Sequence, residues 1–452
     1  MFAVLANPTF RHLFLAQIVA LLGTGLATVA LALLAYDLAG DRAGTVLGTA
    51  LAIRMLANVG VAPVAAAVVG LLPRRALLVG LDLVRAAIVA FLPFVTEVWQ
   101  VYLLIFALQS ASAAFTPAFQ ATIPDIVDDE ASYTNALSLS RLAYDLENLV
   151  SPVLAAALLT VMGFHYLFVG TAIGFLASAA LVVSVVLPAA TATETRSFYD
   201  RTLRGLRIYL ATPRLRGLLA VNLATAAAGA IVIVNTVVYV QASFGLGERA
   251  TALALASFGT GSMLVAVLLP RLLTRLSDRS VMLGGAMLLF VSATLAVFLG
   301  GYAMLLVLWF AIGAGFSLAQ VPSGRLLRRS AHQADRPAVF AAQFALSHAC
   351  WLVTYPLAGW LGANAGLAVA AGVLAAITAV GGLLAVVVWP AADDDAPEHD
   401  HSDLAADHPH LLEGEPAAPG RHRHPFVIDD LHGEWPRGRQ SASGPGGDAT
   451  NA

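Results

Sequence analysis

The sequence predicts an all-α integral membrane protein of twelve transmembrane helices in two pseudo-symmetric six-helix halves, with a disordered C-terminal tail. Three observations predict it. Apolar segments of about 20 residues, the length that crosses a bilayer as a helix, follow one another from Leu13 to Trp389. Arginine recurs in every second gap between them, and basic residues collect on the cytoplasmic side of a membrane. The longest internal gap divides the train six and six. Residues that are 59% hydrophobic and 12% charged, with a mean hydropathy of +0.79, lie far outside the soluble globular range.

The first half places spans at 12–36, 44–69, 76–95, 98–120, 136–163 and 166–188, and the second at 217–242, 250–270, 280–299, 302–321, 338–362 and 366–389. The first run, Leu13 to Tyr36, lacks a charged n-region before it and a small-residue cleavage site after it, so a retained helix is expected rather than a signal peptide. Odd gaps carry almost no base, Arg42 and Arg249 excepted. Even gaps carry Arg74 and Arg75, then Arg196 to Arg207, then Arg271, Arg275 and Arg279, then Arg325, Arg328, Arg329 and Arg336. The acidic gap at 121–135 breaks the series, but acids weigh little in orientation. Both termini are therefore expected in the cytoplasm of a multi-pass protein of the cell membrane. The chain has no lysine, and Cys350 is its one cysteine, so no intramolecular disulfide constrains it.

Residues 1–188 form the expected N-terminal half, 189–216 a cytoplasmic linker, 217–389 the C-terminal half and 390–452 the tail. The linker reads as amphipathic, with Phe198, Leu203, Leu206 and Leu210 among its arginines. Across it the chain weakly repeats itself: Asn-Pro-Thr-Phe-Arg at 7–11 answers Thr-Pro-Arg-Leu-Arg at 212–216, Gln17 falls opposite Asn222, and Asp41-Arg42-Ala43 answers Glu248-Arg249-Ala250. Two similar six-helix halves are a common design of secondary transporters.

Polar residues inside a bilayer cost free energy unless they find a partner or a wet cavity. Gln17, Thr24 and Thr28 fall on one stripe of the first span, and Gln109, Ser112, Thr116 and Gln120 on one stripe of the fourth. Both stripes suit a cavity lining; hydrogen bonding between helices is the competing reading. On the fifth span Arg141, Tyr144, Asp145, Glu147, Asn148 and Ser151 share one arc of about 160°. Asp145 lies four residues from Arg141, the spacing of an ion pair along a helix. Glu147 has no such partner in its own helix and lies roughly 15–18 Å into the span, which makes it the first candidate for a proton or cation relay, ahead of Asp145. Arg54, at mid-depth in the second span, must be paired or hydrated, and Asn58 lies one turn on. His348 heads a stripe with Trp351 and Tyr355 and is a third relay candidate. Asp82 and Arg85 read as a structural pair.

These residues and the six-plus-six layout resemble the major facilitator superfamily, over roughly residues 5–390. The superfamily's loop between helices two and three has the form Gly-x-x-x-Asp-Arg-x-Gly-Arg-Arg. Here it is Gly70-Leu71-Leu72-Pro73-Arg74-Arg75, shortened and without the aspartate, whereas Leu276-Ser277-Asp278-Arg279 in the second half keeps an acidic-basic pair. The run from Phe115-Thr116-Pro117-Ala118 through Ile123-Pro124 to Asn135-Ala136-Leu137 is similar to bacterial efflux members, although their Gly-Pro in helix five is Ser151-Pro152 here. The resemblance implies that helices 1, 4, 7 and 10 line a cavity and that helices 2, 5, 8 and 11 form the seam between halves. It implies Arg54 and His348 across the 2/11 seam, Glu147 toward the eighth helix, and Arg74, Arg75, Asp278 and Arg279 as gating charges.

The tail carries His399, His401, His408, His410, His422, His424 and His432. His-x-His pairs beside carboxylates can chelate nickel, cobalt or zinc, and exporters linked to nickel and cobalt resistance are similar in having His-rich tails. Phe426-Val427-Ile428 and Trp435 are apolar enough to act as a docking peptide. The function expected is proton-coupled efflux of a small organic solute, with Gln17, Gln109, Gln120 and Asn222 orienting the cargo. Alternatives are a divalent metal exporter, or a metal-sensing or scaffolding membrane protein without transport. No enzyme is expected, since no nucleophile–base pair or phosphate loop is seen. No cofactor is required beyond a possible tail metal. The expected partners are the bilayer and a small-molecule or metal-ion substrate, with no nucleic acid, and the chain is expected to be a monomer.

Overall fold

A computed structural model of the chain describes residues 2–68, 73–123, 126–127, 136, 139–140, 143, 147, 150–187, 198–332, 335–400, 415–418, 421–429 and 431–436. The helices are α1 (Pro8–Ala39), α2 (Ala43–Val68), α3 (Arg74–Phe91) and α4 (Val98–Thr122), then α5 (helical at 150–158 and at the described positions from 136), then α6 (His165–Val183) and α7 (Phe198–Ala211). The second half follows as α8 (Pro213–Val237), α9 (Glu248–Leu272), α10 (Asp278–Leu295), α11 (Tyr302–Gln320), α12 (Ser323–Arg329), α13 (Arg336–Asn364) and α14 (Leu367–Val388). Ten stretches of the described residues are long and apolar enough to cross a bilayer, and the first, Pro8–Val61, holds both α1 and α2. With α5 these make the twelve expected spans; α7 and α12 are the short helices of two even gaps.

Local chemistry sets the helix ends. Asn7 caps α1 by accepting from the Phe10 N–H at 3.1 Å, and Pro8 supplies the fixed φ that suits a first turn. Gly40 ends α1 at φ 53°, its N–H donating to the Tyr36 carbonyl, a conformation that a Cβ would penalise. Ser277 caps α10 through the Ser280 N–H. The seventh span starts at Pro213, earlier than the 217 expected, because Arg214 lies inside the fold at 1% exposure rather than in a solvated linker. The linker helix α7 lies along α13. Gly205 touches the Ala338 backbone, and Tyr209 donates to Gln343. Its buried face is thus Gly205, Ile208 and Tyr209, while Leu210 is exposed; residues 188–197 and the side chains of Phe198 and Leu203 lie outside the described set.

The halves meet at the end of the bundle that carries Ala43 and Asn364. There α2 and α13 pack backbone to backbone. A Cβ on Gly359 would run into the Gly44 carbonyl, and one on Gly48 into the Tyr355 carbonyl. Thr45 donates to the Gly359 carbonyl at 3.0 Å. At the same end Arg249 of α9 donates to the carbonyls of Leu159 and Thr160 at 3.0 and 2.8 Å. Toward the opposite end Leu56 and Val59 of α2 and Phe340 and Phe344 of α13 are exposed. The contacts described between α2 and α13 therefore gather toward the Ala43–Asn364 end.

The tail is not without structure where it is described. His399–Asp400 (β1), Glu415–Ala418 (β2) and Arg421–Arg423 (β3) form a three-stranded antiparallel sheet in the order β1-β3-β2. Phe426, Val427 and Ile428 are buried and Trp435 packs with them, so this apolar cluster is what draws the tail onto the bundle.

Candidate functional site

Within the first half, Thr24 and Thr28 of α1, Arg54 of α2, Gln109 and Ser112 of α4 and Phe175 of α6 line one cavity. Each threonine hydroxyl donates to the carbonyl four residues earlier, Ala20 at 3.0 Å and Thr24 at 3.1 Å, so neither needs a partner from a neighbouring helix. Arg54 is the one charged side chain of this lining among the described residues, and its Nε is buried without a hydrogen-bond partner among them. A guanidinium cannot shed its proton, so this charge calls for an anion nearby.

The carboxylate of Glu147 is buried, and the Arg54 charge acts on it. A Cβ on Gly25 of α1 would lie 3.2 Å from Glu147 Oε1 and would collide with Ser151 one turn further along α5. The missing side chain at Gly25 is what lets α5 press against α1. The carboxylate therefore lies against α1 of its own half. The Arg54 charge also reaches Tyr355 of α13 across the seam, and Tyr355 stacks on Trp351 at 4.8 Å. His348, two turns earlier, hydrogen-bonds through Nδ1 to the Phe344 carbonyl at 2.7 Å and lies 3.8 Å from that ring.

Other predicted residues are placed elsewhere. Gln17 is buried, outside the cavity lining, with neither amide atom partnered among the described residues. Asn222 of α8 accepts from Gln320 of α11 at 2.9 Å while its Nδ2 stays buried without a partner among the described residues. Asp82 and Arg85 form a buried ion pair. Ser178 donates to the same carboxylate at 2.7 Å, and the Phe115 and Phe175 rings cover the guanidinium at 4.1 and 4.5 Å. Arg74 opens α3 and Arg75 donates to the Val183 carbonyl. Arg141, Asp145 and the loop from Gly70 to Leu72 lie outside the described residues, as do the side chains of Thr116 and Gln120.

A second charged cluster sits at the end carrying α7 and α12. Asp278 pairs with Arg325 at 2.6 Å and reaches Arg329 at 3.8 Å. Arg329 pairs with Asp393, and Arg214 with Asp395. Arg214 also donates to Ser330 Oγ at 2.9 Å and to the Arg329 carbonyl at 3.0 Å. Arg279, next to Asp278, donates to the Trp389 and Val386 carbonyls at the end of α14. Sequence reading missed Arg214, Asp393 and Asp395, although an Asp-Asp-Asp run directly after the last span was a signal for the arginines of the even gaps.

Comparison with known proteins agrees with this architecture. The sequence profile described as Major Facilitator Superfamily matches residues 13–247 and again 217–425. The fold is similar to the nucleoside transporter NupG, at 14% identity and TM-score 0.64, covering 84% of this chain and 98% of that one. It is similar to a bacterial homolog of the human lysosomal transporter Spinster, in an inward-facing and occupied conformation, at 11% identity and TM-score 0.65 over 84% and 96% of the two chains. It is also similar to the human organic anion transporter MFSD10, at 13% identity and TM-score 0.56 over 83% and 98%. No curated protein matches this sequence.

Proposed function

From the premise that this chain belongs to the Major Facilitator Superfamily, and is a membrane transporter of that kind, we propose proton-coupled efflux of a small organic solute by alternating access. The observation that carries this reading is the buried Glu147 carboxylate packed against α1, on which the charge of the cavity-lining Arg54 acts. A buried carboxylate beside a permanent cation can hold or release a proton as its surroundings change, and that is what coupling requires. The seam contacts gathered toward the Ala43–Asn364 end support two gates used in turn. The arginine asymmetry assigns that end to the outside. Gln109, Ser112, Thr24 and Thr28 offer the polar contacts for cargo, and Trp351 and Tyr355 an aromatic wall across the seam.

A divalent cation as cargo has less support: among the described residues, the one His, Cys, Asp or Glu cluster with metal-ligand spacing lies in the tail, not in the bundle. The test is solute-dependent proton flux in vesicles holding the purified protein, with cargo chosen by screening a deletion strain for growth sensitivity to organic compounds and metals. Glu147→Gln should bind cargo yet lose the proton flux. Unchanged flux would remove Glu147 from the mechanism, and sensitivity to metals alone would replace the organic cargo.

A further inference from the structure

We propose that His399, His424 and His432 form a divalent-metal site that clamps the tail to the end of the bundle carrying α12. This goes beyond the transport reading and does not depend on it. Among the described residues the fold brings three tail histidines together: one ring nitrogen from each lies within 4.8 Å of the others, with two of the side chains buried and the third half-buried. They come from β1, from the segment after β3, and from the turn beyond Phe426, so folding of the tail creates the site.

The tautomers point the same way. Nδ1 of His399 hydrogen-bonds the Pro397 carbonyl at 2.9 Å, Nδ1 of His424 the Pro425 carbonyl at 2.9 Å, and Nδ1 of His432 the Asp429 carboxylate at 2.9 Å. An oxygen acceptor without a hydrogen requires each Nδ1 to be the donor, which leaves each Nε2 as a lone-pair donor to a metal. Nε2 of His399 and Nε2 of His432 stand 3.2 Å apart. Two such lone pairs at that distance repel unless a cation sits between them. Tetrahedral zinc with Zn–N bonds of about 2.0–2.1 Å holds its ligand nitrogens roughly 3.3 Å apart, close to the spacing seen.

The surroundings are those of a metal centre. Asp429 orients His432 from behind, the carboxylate–histidine arrangement that fixes a ligand ring and raises its basicity. Phe426 lies 4.8 Å from His399 and 4.5 Å from His432, excluding water on that side. Three imidazoles suit a borderline ion such as Zn²⁺, Co²⁺ or Ni²⁺. The site is tied to the bundle on both flanks: Asp429 reaches His332 at 3.2 Å, and Phe426 N–H donates to the Asp395 carbonyl at 2.8 Å while Asp395 holds Arg214. A bound ion would therefore fasten the tail across α12 and the start of α8.

The test titrates the purified full-length protein with Zn²⁺, and with Co²⁺ followed by visible absorption. One ion per chain and an intense tetrahedral Co²⁺ band are expected. Single His399→Gln, His424→Gln and His432→Gln substitutions should each weaken binding by at least about tenfold, the scale of losing a metal-site group, whereas His408→Gln and His410→Gln should not. Tail proteolysis should slow with Zn²⁺ and resume with a chelator. Equal losses from His408→Gln would overturn the assignment in favour of loose chelation by the whole tail. No tight binding by the correctly folded protein, judged by gel filtration, would overturn it in favour of a proton shared between His399 and His432. Metal binding with no change in tail proteolysis would overturn the clamp.

Discussion

Asp82 shows how far a single side chain's surroundings go beyond its sequence spacing. The i, i+3 relation to Arg85 was visible, but the Ser178 hydroxyl and the two phenyl rings come from other helices. Replacing Asp82 with Ala would leave a buried guanidinium without its anion, at a cost of about 3–5 kcal/mol. Thermal unfolding of the detergent-purified protein should register that loss, and the double replacement Asp82→Ala with Arg85→Met should recover most of it. Recovery would fail if the guanidinium were held mainly by its rings. Glu147 and Arg54 illustrate the same limit. Each was legible as an intramembrane charge needing an explanation, yet nothing in either helix named the other. The position of Glu147 depends on Gly25, whose bare backbone lets α5 close on α1.

At the level of the element, the seam between α2 and α13 rests on absent side chains. Gly44, Gly48 and Gly359 let two helices touch through their backbones, as small residues do at packed membrane interfaces. Gly359→Leu should therefore pry this end open. In a Cys350→Ser background, a cysteine at Thr45 should be labelled faster by an impermeant thiol reagent once Gly359→Leu is added. Equal labelling would mean that the seam opens elsewhere. Periodicity could place these helices to within a few residues, but a glycine inside a span is equally compatible with close packing and with mere tolerance. α7 makes the point in reverse: its amphipathic pattern was clear, and only the path along α13 decided that Tyr209, not Leu210, faces inward.

For the whole molecule, the charged cluster joining α8, α10, α12 and the tail is the feature with the widest reach. Arg214 is enclosed, and Asp395 and Asp393 are its acids. A chain ending at Pro390 should lose stability, because an enclosed arginine would be left with neutral partners, whereas one ending at 436 should match the full-length protein. Unfolding temperatures of the two truncations, measured in the same detergent, check this; equal values would mean that Arg214 rehydrates without cost. The arginine asymmetry also predicts sidedness: in intact cells a cysteine at Asp41 should react with an impermeant reagent and one at Arg207 should not.

By itself, the sequence determined the twelve-span helical architecture and which intramembrane groups demand partners, because hydrophobic length and helical period are local properties of a chain. Tertiary structure alone decided the partners: Gly25 of α1 for Glu147, Asp395 for Arg214, and, among the described residues, His399, His424 and His432 for one another. Such pairings join residues tens to hundreds of positions apart. They are set by which backbones can approach, and a glycine or a buried phenylalanine controls that without carrying any charge of its own.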